Sequence, residues 1–103
     1  MNIFAKECLL KWPDKEEVIA ELDARISARF KEGETKGTAT GYFTLIKGRI
    51  PTLHEVRDTR LRLHITDRKG GKYVADVMIS LTQPIEYPGT EVPINVESIE
   101  AVE

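Results

Sequence analysis

The residue pattern predicts an α+β fold, an antiparallel sheet of about four strands with one long amphipathic helix packed on one face. Residues 15–32 carry apolar side chains at helical spacing between capping signals. Residues 59–66 and 72–82 alternate with period two around a glycine turn. The 103 residues fit a single α+β domain over residues 1–103, large enough for one modest core.

In residues 2–12, Ile3, Phe4, Cys8, Leu9 and Trp12 fit a helical stripe, yet a segment this short also fits a strand. Both readings stay open, with the helix the first choice. Either way Phe4, Leu9 and Trp12 are core candidates. For the long helix, Asp14 is the expected N-cap, Glu17 closes a capping box, and Pro13 stands just before it. Val18, Ile19, Leu22, Ile26 and Phe30 form the stripe, and Gly33 is placed to end it. Residues 36–49 change period: Phe43 and Leu45 alternate with Tyr42, Thr44 and Ile46, as in a strand. The spacing of Gly33, Gly37 and Gly41 suits a loop or bulged strand start. Pro51 ends that strand, and residues 49–58 read as a connection with at most one helical turn.

Residues 59–66 give the cleanest strand, with Leu61, Leu63 and Ile65 facing one way and Arg60, Arg62 and His64 the other. Asp67, Arg68, Lys69, Gly70 and Gly71 make a hairpin turn. The return strand carries Tyr73, Ala75, Val77, Ile79 and Leu81. Prolines 84, 88 and 93 mark an irregular crossing before a final strand at 94–102, placed at a sheet edge by its glutamates and nearby prolines.

Formal charge is sorted along the chain. Residues 47–72 hold eight basic against three acidic residues, a net of +5. Residues 73–103 hold six acidic residues and no Lys or Arg, a net of −6. Such asymmetry points to an interaction surface. The lone Cys8 allows no intrachain disulfide. The opening residues carry charges where a signal peptide needs an apolar run, and no apolar stretch approaches a membrane span. A cytoplasmic protein with no membrane association is the expectation.

The alternation places Arg60, Arg62 and His64 on one sheet face with Tyr42, Thr44, Val74, Asp76 and Met78, while Arg68, Lys69 and Lys72 project at the turn. These six basic residues are the expected partner-binding set. They suggest a small, non-enzymatic, intracellular binding or regulatory protein. It would contact a macromolecular partner, a protein first, through the charged face and the edge strand. Homodimerisation through that edge and the apolar Val74 and Met78 is compatible. The alternative is a nucleic-acid-binding protein using the basic strand 59–66 and hairpin 67–72. That version wants two or three aromatics on the face, where only Tyr42 is found. A simpler account has the arginine row neutralised by Glu97 or Glu100 on the last strand. Likewise, the acidic end fits either an inhibitor-like mimic of phosphate spacing or a counterweight to the basic middle. His54 beside Glu55, and His64 near Asp67, lack any motif-placed nucleophile, and Cys8 with two histidines gives no zinc spacing. No catalytic residue, metal or cofactor is expected.

Overall fold

The computed structural model describes residues 1–57 and 60–102. Asp58, at the end of the expected connection, Thr59, where the basic strand was expected to begin, and Glu103 of the acidic end lie outside the described residues. Among those described, the elements are β1 (Asn2–Lys11), β2 (Val18–Phe30), β3 (Lys36–Gly48), α1 (Leu53–Val56), β4 (Leu61–Asp67), β5 (Lys72–Met78), β6 (Glu91–Val92) and β7 (Asn95–Ala101). The protein is nearly all β, 61% strand against 4% helix, and it forms a closed six-stranded barrel. The expected α+β sheet with a long helix is therefore wrong. Around the ring the order is β1, β2, β3, β7, β5, β4 and back to β1, with every junction antiparallel. The short β6 pairs with a later part of β3.

The segment expected to be the long helix is β2, paired on both sides, to β1 and to β3. Leu22 and Ile26 belong both to a helical stripe and to a period-two row. The alanines decide between them. Ala20, Leu22, Ala24, Ile26 and Ala28 are all buried in alternation, while Asp23, Arg25, Ser27 and Arg29 are exposed. Alanine favours helix in isolation. Here it is the small partner that a narrow barrel needs beside the larger Phe43 and Leu10, the register partners of Ala24 and Ala20. Two-sided strand pairing overrides the local preference.

Residues 2–12, with helix the first choice, are likewise mostly strand. Ile3 and Ala5 point inward, Lys6 and Glu7 are both exposed, and Cys8 and Leu10 point inward again. The register shifts there against both neighbours, as in a β-bulge. That skipped residue mimics a helical stripe in the sequence. It also corrects the placement of Phe4 in the core, since its side chain is 47% exposed on the outer wall.

The hairpin is as local spacing implied. β4 pairs with β5 from Leu61–Val77 to Thr66–Lys72. The Asp67 N–H donates to the Gly71 carbonyl at 2.8 Å, and the Gly70 N–H to the Asp67 carbonyl at 2.9 Å. Gly70 has φ +95°, which a side chain would resist. β5 stops at Met78, short of the expected residue 82. The final strand is not an edge strand: β7 lies between β5, which it meets from Asn95 to Ala101, and β3, which it meets at Glu100 and Ile99. A capping box does form, on α1 rather than β2: Glu55 N–H donates to Thr52 Oγ1 and Thr52 N–H to Glu55. Arg49 bonds both Glu55, at 2.7 Å, and Glu86, at 3.1 Å, clasping α1 to the 85–89 segment. That guanidinium, helped by the Thr52 N–H, lowers the Glu55 pKa to about 2. No helix among the described residues is long and apolar enough to cross a membrane.

Candidate nucleic-acid interface

The six residues of the expected binding set fall into two groups. Arg60, just ahead of β4, is ion-paired with Glu97 of β7. Arg62 donates from Nε to Asp76 Oδ1 at 3.1 Å, and Asp76 is its direct register partner on β5. Lys11, beside Arg62 on β1, lies 3.9 Å from Glu16. His64 sits half-buried between Leu9 and Val74. Burial, then the charges of Lys11 and Arg62, hold its pKa below the ordinary histidine value. Exposed pairs of this kind add little stability. They do engage the Nε donor of each arginine and set a negative charge beside each positive one. The internal pairing of Arg60 with Glu97, weighed from the sequence, is present.

Arg68, Lys69 and Lys72 stand exposed around the hairpin tip. Among the described residues the ion pairs use Lys11, Arg49, Arg60 and Arg62, and none of these three. The buried Asp67 accepts from the Lys69 N–H at 3.4 Å. The Arg68 N–H donates to the Phe4 carbonyl at 3.0 Å, tying the tip to β1.

From that tip a second row crosses the wall. Phe4 on β1 is in register with Arg25 on β2, and Arg25 with Tyr42 on β3. All three point outward, and Tyr42 is 75% exposed. Directly paired residues of an antiparallel sheet hold their Cβ atoms about 5 Å apart, so the three side chains are neighbours. The row thus runs Arg68, Phe4, Arg25, Tyr42, two cations alternating with two aromatics. Beside it lie Asn2, Ser27 and Thr40 in one register line, and Arg29 with Thr38 beyond. Arg25 and Arg29 take part in no ion pair among the described residues. Between Phe4, Arg25, Thr40 and Tyr42 the surface dips into a groove of about 480 Å³. Exposed rings next to guanidinium groups, with hydroxyls alongside, can stack planar bases and hold phosphates.

Residue alternation singles out Arg68 and Tyr42 but not the two residues between them: the expected helix hides Arg25, and the helical stripe puts Phe4 in the core. Tyr42 does face outward with Arg60 and Arg62, but in a closed ring the outside runs all the way round. It stands on β3, not adjacent to β4. The one signal available was period-two polarity across residues 23–29.

Cys8 is a core side chain. Burial first, then the nearby Asp23 charge, raises its thiol pKa to about 12, so it stays protonated at neutral pH. No group of three or more potential metal ligands occurs among the described residues. Comparison with protein families, with curated proteins and with solved structures finds no match to this chain.

Proposed function

We propose that this chain binds single-stranded nucleic acid on the outer wall formed by β1, β2 and β3, without chemical turnover. The observation that supports it is the row Arg68, Phe4, Arg25, Tyr42, the last three in strand register and Arg68 joined by its N–H to the Phe4 carbonyl. Phe4 and Tyr42 are exposed, and the two arginines have no acidic partner among the described residues. The exposed rings leave apolar surface in water, which a stacked base would cover. Unpaired arginines beside them supply the phosphate contacts, and Ser27, Thr38 and Thr40 add hydroxyl donors. Of the expected partner-binding set Arg60, Arg62, His64, Arg68, Lys69 and Lys72, this reading keeps Arg68, sets aside the ion-paired Arg60 and Arg62, and adds Arg25.

Fluorescence anisotropy with labelled single-stranded oligonucleotides tests it. Tyr42→Ala and Arg25→Ala should each weaken binding by roughly 5- to 100-fold, the range expected for a lost stacking or charged contact. Affinity should fall with salt at a log–log slope of about −0.7 for each phosphate held. Arg62→Ala should change affinity less than about twofold, because its guanidinium is already engaged. Equal losses at Arg25 and Arg62, or no salt dependence, would overturn the assignment of the site. Selective capture of one protein, insensitive to Tyr42→Ala, would restore the protein-partner reading.

A further inference from the structure

The outer wall does not end at Tyr42. On its far side β3 pairs with β7 at Lys36–Glu100 and Gly37–Ile99, and with β6 at Phe43–Val92 and Thr44–Glu91. Between these two short ladders the described residues 38–42 have no strand partner on that side. The wall opens there into a cleft of about 360 Å³, lined by Gly41, Tyr42, Met78, Ser80, Glu91 and Asn95. Tyr42 lines both this cleft and the groove beside Arg25. The cleft therefore begins where the arginine–aromatic row stops.

Its chemistry is two-sided. Val92 is buried beneath it and Met78 is 40% exposed at its edge, giving a soft apolar seat. Glu91, Asn95 and Ser80 supply polar groups at its rim, and none of the three makes a side-chain hydrogen bond among the described residues. A flat, apolar-faced group with hydrogen-bonding edges fits such a lining. Phosphate does not, because Glu91 would repel it. A nucleobase does.

We infer that the cleft between Tyr42 and Glu91 is a base-selective pocket, which receives one unstacked base from a strand held on the Phe4–Arg25–Tyr42 row. This rests on the single-stranded reading proposed above. Its selectivity follows from Glu91. A carboxylate offers acceptors only, so it pairs with the exocyclic amino group of cytosine, adenine or guanine. The carbonyl oxygen that uracil and thymine present where cytosine carries its amino group would face it lone pair to lone pair. The pocket thus takes an amino-bearing base and disfavours uracil and thymine. Asn95, which can both donate and accept, completes the edge contacts for any of the three.

The experiment is anisotropy with homopolymers of roughly 12 nucleotides, within the site sizes of small single-strand-binding folds. Cytosine, adenine and uracil or thymine sequences are compared in both ribose and deoxyribose forms. Wild-type protein should bind the cytosine and adenine polymers at least about fivefold more tightly than the uracil or thymine ones. Glu91→Gln, whose amide also donates, should bring the series within about twofold while leaving the melting temperature unchanged. The ribose and deoxyribose arms identify which nucleic acid carries the preferred base. Equal wild-type affinities, or a preference that survives Glu91→Gln, would overturn the pocket and leave the arginine–aromatic row standing. Absence of binding to every homopolymer at low salt would overturn row and pocket together.

Discussion

Two rows of cations cross the outer wall of this barrel, and they differ in their neighbours rather than in their own residue types. At the start of β4, Arg60 just ahead of the strand and Arg62 within it face Glu97 and Asp76, so each guanidinium has an acidic partner within the protein. From the hairpin tip across β1, β2 and β3, Arg68 and Arg25 alternate with the exposed rings of Phe4 and Tyr42. The first row is an internal electrostatic fit. The second leaves charge and aromatic surface facing solvent, which is what a ligand-binding wall requires. Basic sequence alone does not locate a binding surface, because the acids that silence it come from distant strands.

The largest expected effect asks whether both rows stand on one core. Phe43 is buried on β3 beneath the aromatic wall, and Leu63 on β4 beneath the paired one. Phe43→Ala should cost about 3–5 kcal/mol and Leu63→Ala about 2–5 kcal/mol in denaturant titrations. Each should give a single transition. If Phe43→Ala instead produced two transitions, the aromatic wall would be a separately melting part, and the two rows would not share a foundation.

A middle-sized effect would erase the contrast. Asp76→Asn combined with Glu97→Gln frees Arg62 and Arg60 without removing either. If pairing is what silences them, oligonucleotide binding should tighten a few-fold, and the salt slope should steepen by about 0.7 for each new phosphate contact. Unchanged affinity would mean that the aromatics, not the free charge, separate the two walls.

The smallest effect belongs to His64 on the paired wall. Its pKa in the folded protein lies below the ordinary value of 6.5 because of burial, with Lys11 and Arg62 adding to it and Glu16 opposing. The unfolded chain therefore binds more protons in that window, and stability falls as pH drops from 6.5 through the folded-state pKa. His64→Gln should flatten the stability profile there, read as unfolding midpoints at pH 5, 6 and 7.5. A slope that persists in the variant would assign it to other groups.

What the sequence disclosed and what it concealed divide along local and non-local lines. The β4–β5 hairpin is readable because turn glycines and alternation lie within a short stretch. β2 is misread because Leu22 and Ile26 satisfy two periods at once, and the alanines between them gain meaning only inside a narrow barrel. Phe4 is misread because a bulge at Lys6 and Glu7 shifts the phase of β1. The Phe4–Arg25–Tyr42 row was out of reach for a different reason. It is made by register among three strands, and register depends on which strands meet. The match of Arg60 with Glu97 could be weighed as an option but not decided, for the same reason.

The insertion of β7 between β5 and β3 has a consequence for how the chain reaches this state. The other five strands of the ring all precede it in the chain. Until it is in place, β3 and β5 have no strand between them to close the ring. Unpaired strand flanks recruit other chains readily. Closure waits for residues 95–101, and that late strand meets β3 through two register pairs alone. The same short seam that leaves room beside Tyr42 is then the place where the ring shuts last and where, in a folded molecule, backbone amides should exchange first.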